Sequence, residues 1–317
     1  MIQSTLQALL HQATVLALRV LPDEKRVPLE RRMRGRYDAQ RLARADVCVI
    51  SYGKSGRTWA RVMLSRYFQL RYRVSQRRLL TLDNYHRQNA AIPVVMFTHD
   101  NYLRDFTGNE EKSDFRDKKL IVLVRHPADT AVSQYFQWRY RMKPGKKALN
   151  DYPPHGADIT IQDFVLRHPA GLERVVAFAN QWAKELSGSA NILLVRYEDL
   201  RRDTAGQLRH ILNFMGERPT DKELQETVAF ASIENMRKLE ERSTFWRSGS
   251  VLRPGERGNV DSYKVRRGKV GGFRDYFSDA EVAEIEHYVR ERLNPIFGYG
   301  GSEAPALERA VGTRAAT

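Results

Sequence analysis

Apolar residues along this chain fall into short unbroken runs set between charged stretches. That pattern marks strands buried on both faces, as in a parallel sheet covered by helices, and not an alternating half-exposed sheet. Four such runs stand out: Asp46-Val-Cys-Val-Ile-Ser51, Pro93-Val-Val-Met-Phe-Thr-His99, Lys119-Leu-Ile-Val-Leu-Val124 and Asn191-Ile-Leu-Leu-Val-Arg-Tyr197. Helical spacing follows the first run at Val62, Met63, Tyr67 and Leu70. It follows the third from Pro127, which suits a first helical position, with Asp129 in the first turn to complement the dipole. Further helices are predicted over 160–168, 171–186, 203–215 (closed by Gly216), 220–231, 233–241 and 279–293, the last opened by Ser278. Residues 71–78 and 104–118 read as charged connections, and 79–91 as loop or short helix. Residues 143–158 are turn-rich and read as a long loop, a candidate substrate lid. Alternating strands and helices predict an α/β fold with a central parallel sheet in a single domain.

The first run leads straight into Tyr52-Gly-Lys-Ser-Gly-Arg-Thr58 and Trp59. A strand that passes through a glycine-containing loop into a helix N-terminus gathers free backbone N–H groups and the positive end of the helix dipole; Lys54 adds a full charge. This is a cradle for phosphate or sulfate, with Trp59 as a flat surface for a nucleobase. The string Gly53-Lys54-Ser55 is shared with nucleotide triphosphatase loops, but those need a glycine five positions earlier. Cys48, a strand residue, stands there instead. His99 and Arg125 close the second and third runs. Chemistry in open parallel sheets collects at the carboxyl ends of strands, so both are expected beside the Lys54 loop. Ser133, in the helix after Arg125, is placed to share one phosphate with it. The glycine-rich basic stretch Arg266-Arg-Gly-Lys-Val-Gly-Gly-Phe273 reads either as an anion-binding flap or as a solvated linker.

Composition narrows the partners. The chain has 317 residues and a formal net charge of +15, which points to polyanionic ligands: a nucleotide, nucleic acid, an acidic polysaccharide or a membrane surface. A single cysteine excludes an internal disulfide framework and suits a reducing, cytoplasmic setting. No apolar run is long enough to span a bilayer. Leu6, Leu9, Leu10, Ala13, Leu16, Ala17 and Val20 recur at helical spacing ahead of a basic run from Arg26 to Arg44. That segment is either a helix packed on the domain or an amphipathic contact with an anionic membrane. The expected division is an N-terminal helix and basic segment over 1–44, the main domain over 45–298, and a disordered tail over 299–317.

Three separated motifs, in one order, resemble the PAPS-dependent cytosolic-type sulfotransferase family, in a bacterial-like form. Gly53-Lys-Ser-Gly-Arg-Thr-Trp59 looks like its 5′-phosphosulfate loop, and Arg125-His-Pro-Ala-Asp-Thr-Ala-Val-Ser133 like its 3′-phosphate strand and helix. Arg266-Arg-Gly-Lys-Val-Gly271 with Phe273 resembles its nucleotide-clamping loop, and Val195-Arg-Tyr-Glu-Asp-Leu200 a stretch that follows a core strand. The resemblance implies a P-loop-like sulfotransferase fold and PAPS (3′-phosphoadenosine 5′-phosphosulfate) as sulfuryl donor, with no metal and no nucleic acid as partner. It also implies roles. Lys54 would contact the 5′-phosphate and sulfuryl group. Ser55, Gly56, Arg57 and Thr58 would supply the loop's donors. Trp59 and Tyr197 would flank adenine, and Ser232 would contact the nucleotide. Arg125, Ser133, Arg266, Arg267 and Gly268 would hold the 3′-phosphate. His99 would be the general base on an acceptor hydroxyl borne by a sugar, a lipid or a small phenolic molecule. Four positions depart from the family pattern: Gly53 replaces a proline, Arg57 a threonine and Phe97 a second lysine, and Asp100 stands where animal members have an apolar residue. Two rival readings, a small-molecule kinase and a non-catalytic polyanion binder, make different predictions about PAP, the product nucleotide, and ATP. A homodimer and peripheral membrane contact through residues 1–44 remain open.

Overall fold

The structure is a computed structural model that describes residues 14–186 except 16, 191–248 and 252–300. Its centre is a four-stranded, all-parallel sheet of β1 (Val47–Ile50), β2 (Val95–Thr98), β3 (Lys119–Val124) and β4 (Ile192–Arg196) in the order β2-β1-β3-β4. Residues alternate between two apolar cores, one on each face. Cys48, Ile50, Leu120, Val122 and Val124 enter one; Val47, Val49, Ile121, Leu123 and Val195 enter the other. Burial on both faces is the reason the strands read as unbroken apolar runs.

Helices α2 (Arg57–Tyr72), α4 (Pro127–Tyr140), α6 (Leu172–Leu186) and α8 (Thr204–Met215) cover the sheet, with α9 (Asp221–Phe230) packed on α2. The expected caps form. Pro127 opens α4, Gly216 closes α8 with a φ of 96°, and Ser278 makes a capping box for α11 (Asp279–Arg292). The chain leaves β1 toward β2 on one side and β3 toward β4 on the other. The crevice outside the carboxyl ends of β1 and β3 is therefore a topological switch point, where open α/β sheets bind ligands.

Four segments refine or differ from the sequence expectation. The basic run before β1 is a 22-residue helix, α1 (Asp23–Arg44), in which Glu30 takes ion pairs from Arg26 and Arg34 at 2.8 and 2.6 Å. It packs on α3 (Leu103–Thr107), itself inside a stretch read as loop. Gly35 permits the contact, since a Cβ there would stand 2.1 Å from the Tyr102 carbonyl oxygen. Pro144–Leu149, within the candidate lid, is the short helix α5 with Pro144 in its first turn. The segment over 163–167 winds as a π-helix. Each of these short elements is held by tertiary contacts that local periodicity does not encode. The apolar positions Leu6, Leu9, Leu10, Ala13 and Leu16, and the tail beyond Gly300, lie outside the described residues.

Candidate active site

The loop after β1 turns through Lys54 with a positive φ of 74° and Gly56 at 97°, and Gly56 caps α2. Only glycine fits the second turn, because a Cβ at Gly56 would meet the Tyr197 ring at 2.7 Å. Gly53 is less constrained: its Cβ would lie 2.9 Å from Gln134 Oε1, the end of a flexible side chain that can shift aside. The loop, the Arg125 strand tip and the basic segment around Gly268 converge on one cavity of about 1320 Å³. That volume exceeds the roughly 300–1,000 Å³ of an ordinary ligand pocket and leaves room for two substrates at once.

His99, at the end of β2, has a definite tautomer. Its Nδ1 lies 2.7 Å from the Ser51 carbonyl oxygen, which can only accept, and its Nε2 lies 2.6 Å from Arg57 Nη2, which can only donate. Nδ1 therefore carries the hydrogen, and the basic lone pair on Nε2 faces Arg57 and the cavity. Burial, and then the Arg57 charge, hold the imidazole well below its ordinary value, so it is neutral at neutral pH. Burial, with the charges of Arg61 and Arg41, pushes the Arg57 guanidinium down to about 9. Its Nη1 is buried and hydrogen-bonds nothing among the described residues.

Lys54 stands beside a group of buried charges that sequence reasoning missed. Its ammonium approaches the Lys264 carbonyl oxygen at 3.5 Å. Burial, then Lys264 and Arg141, push it well below the usual lysine range. Lys264 is pushed down to about 7 by burial and by Arg141 and Arg57. The fully buried Glu240 ties this group together, accepting from the backbone N–H groups of Lys264 and Val265 at 2.7 and 3.0 Å and pairing with Arg141 at 3.3 Å. Its signal in the sequence is one of three glutamates in the charged helical pattern of α10 (Ile233–Glu241), which reads as a solvated face.

Arg125 donates to the Lys269 carbonyl oxygen at 3.0 Å and lies 4.6 Å over the Tyr197 ring, and its Nε is buried without a partner. Asp129 turns out to be more than a dipole complement. Its buried carboxylate accepts from the N–H groups of Gly271 and Phe273 at 2.8 and 2.9 Å, which pins the basic segment against α4. Gly268, with a φ of 63°, packs so closely that a Cβ would meet Ile233 at 2.6 Å.

Of the residues singled out from sequence, His99, Lys54, Gly56, Arg57, Thr58, Trp59, Arg125, Ser133, Tyr197, Arg266, Arg267 and Gly268 all line the cavity. Ser55 and Ser232 do not. Ser55 is buried beneath the loop, and the Ser232 hydroxyl caps α10 by accepting from Asn235 N at 3.2 Å. Trp59 is held by its indole N–H, which donates to the Ala231 carbonyl oxygen at 2.8 Å, and meets Tyr197 edge-on at 5.8 Å. Phe97 lines the cavity without charge. The Asp100 carboxylate turns away from it to pair with Lys112 at 2.6 Å.

The sulfotransferase domain model matches residues 44–296. The chain belongs to the sulfotransferase family. Among curated relatives it is similar to human sulfotransferase 6B1, 26% identical over 261 residues that cover 78% of this chain and 76% of the relative. It is also similar to rat sulfotransferase 2A6, 26% identical over 57% of this chain and 59% of that one. Its fold is like that of mouse sulfotransferase SULT7A1 complexed with PAP, with a TM-score of 0.53, 20% identity, and coverage of 80% of this chain and 89% of that one. Retinol dehydratase, solved with androsterone and PAP, superposes with a TM-score of 0.54 at 19% identity over 78% of this chain and 80% of that one. Arg34, Tyr37, Asp38 and Arg41 of α1 also line the cavity, and they precede the matched region. No helix among the described residues is long and apolar enough to cross a membrane.

Proposed function

We propose that this sulfotransferase takes PAPS as donor and passes its sulfuryl group to an acceptor hydroxyl, releasing PAP. The donor set suits such a ligand. Arg57 Nη1, Arg125 Nε and Arg141 Nε are buried donors on cavity-lining residues with no partner among the described groups, and an acceptor-rich polyanion would satisfy them. Two anion-binding ends face one cavity: the Lys54 loop with the α2 N-terminus, and Arg125 with Ser133 and the basic segment. In this reading PAPS supplies an activated sulfuryl group. The protein supplies positioning and charge, the two requirements of in-line group transfer. Lys54 and Arg57 neutralise charge that develops on the transferring group and the leaving oxygen. His99 Nε2 takes the proton of the attacking hydroxyl.

The single observation that carries this reading is a neutral histidine, locked in its Nδ1–H tautomer, with its lone pair turned toward the Lys54 loop. A non-catalytic polyanion site has no use for such a group. Isothermal titration calorimetry with PAP, ATP and ADP tests the donor assignment. PAP binds much more tightly than ATP, and Arg125→Ala loses that preference. ATP binding that equals or exceeds PAP binding overturns the reading in favour of a kinase-like site.

A further inference from the structure

The cavity extends well beyond the two anion-binding ends assigned to the donor, past His99 to α1, α5 and α6. This outer half is polar and cationic. Its phenol and amide groups are already bound to one another: Tyr52 to Tyr152 across 3.3 Å, and Tyr102 to Asn150 Oδ1 at 2.8 Å. Its arginines on α1 are largely neutralised, Arg34 by Glu30 and Arg41 by Asp38 at 3.1 Å. Three cations have no carboxylate partner among the described residues. Lys143 and Lys146 make no ion pair, and Arg174, which lies 5.4 Å over the Tyr152 ring, donates to the backbone carbonyls of Asn150 and Asp151. Lys146 is close enough to the reacting centre that its charge is among those that keep His99 deprotonated. Asp38 and Asp129 are the only carboxylates lining the whole cavity among the described residues. The first is paired with Arg41, and the second is spent on the basic segment.

Like charges that converge on a concave surface repel one another and gain most when an anion enters. On a convex surface the same lysines would be plain solvated side chains. Here they share a cavity wall with the base. We propose that the acceptor is itself an anion, a hydroxyl compound carrying a carboxylate, sulfate or phosphate group that Lys146, with Lys143 and Arg174, holds beside His99. This rests on the sulfuryl-transfer reading and sharpens it. A neutral lipid such as androsterone, named with retinol dehydratase, would meet the rings of Tyr52, Tyr102 and Tyr152 with Phe97 and Met142 here, but would leave these cations without a counter-charge. The α1 helix, which precedes the family's matched region, forms one wall of this half, while Lys143, Lys146 and Arg174 lie within that region.

The test uses full-length protein saturated with PAP and two matched pairs of ligands: methyl glucuronide against methyl glucoside, and 4-hydroxyphenylacetate against its amide. Dissociation constants are measured by calorimetry. At least one acid binds about ten- to a hundredfold more tightly than its neutral partner, the range expected for a charge-assisted contact. Lys146→Met brings that ratio to within about twofold while PAP affinity stays as in the wild type. Acids that bind no better than their neutral partners, or no binding by either acid, overturn the proposal. A ratio that survives in both Lys146→Met and Lys143→Met also overturns it. If PAP itself fails to bind, the donor reading falls, and this proposal falls with it.

Discussion

At the scale of single residues, His99 and Arg57 form one unit. The guanidinium donates to the His99 Nε2 lone pair, so under the proposed function Arg57 turns toward the bound anion as His99 takes up its role as base. Replacing His99 with alanine leaves PAP affinity intact and lowers turnover by about 10²–10⁴-fold, the usual worth of a positioned base. Unchanged turnover in that variant would remove His99 from the mechanism. The acid limb of kcat/KM lies below pH 6.5 because the imidazole is held below its ordinary value. Arg57→Thr removes a cation from beside it, so the limb moves to higher pH while kcat falls. A limb that stays in place would show that Arg57 has no electrostatic hold on the base. Lys264 offers a second check. With a value of about 7 in the free protein it is largely deprotonated at pH 8, and a phosphate nearby favours its charged form. PAP binding at pH 8 therefore takes up protons, read from calorimetry in buffers of different ionisation enthalpy, and Lys264→Met lowers the uptake; Lys54, also held below its usual range, can account for what is left.

At the scale of elements, two acids hold the basic segment in register with the sheet's helices. Asp129 at the start of α4 carries the basic segment on two backbone hydrogen bonds. Glu240 of α10 carries Lys264 and Val265, just before that segment, on two more. Hydrogen bonds to a buried charge are worth about 1.5–3 kcal/mol each, so the loss of either acid should release the segment without unfolding the sheet. Asp129→Ala is expected to keep its circular dichroism spectrum, lose at least about tenfold in PAP affinity and become sensitive to proteolysis near Gly268. Wild-type affinity in that variant would show that the segment docks without its pin. The loop at Gly56 is a separate case. Alanine there meets both a left-handed backbone and the Tyr197 ring. The backbone alone costs about 1–2 kcal/mol, which urea denaturation resolves.

At the scale of the whole molecule, the net charge of +15 and the concentration of cations in one cavity make ligand capture an electrostatic event. Polyanion association should slow steeply as salt rises, since the Debye length shrinks from about 30 Å at 0.01 M to about 10 Å at 0.1 M. Stopped-flow measurement of PAP binding across that range checks this, and a flat response would count against steering. Stability carries its own pH dependence. The folded protein holds His99 and His126 below their ordinary values, His126 at about 4 and chiefly through burial. Below about pH 6.5 the unfolded chain binds protons that the native state refuses, so stability falls on acidification. The midpoint of urea unfolding should drop between pH 6.5 and 4.5.

Much of this molecule is written in local pattern. The four apolar runs are the four strands, because burial on both faces forces every position to be apolar. The glycines at 53 and 56, the lysine between them and the arginine at the β3 tip mark the anion site, because strand–loop–helix geometry alone points backbone donors outward. Local pattern could not show which charges would become neighbours. Asp129 meets Gly271 across 142 residues, and Arg141 meets Glu240 across 99. The basic run of α1 reads either as a packed helix or as a membrane contact, and only packing shows that one face of it is a cavity wall. Burial, pairing and the direction of a lone pair depend on what lies opposite in space. Sequence therefore determined the strands and the anion-binding loop, and tertiary contact alone decided which acids and bases share the cavity with His99.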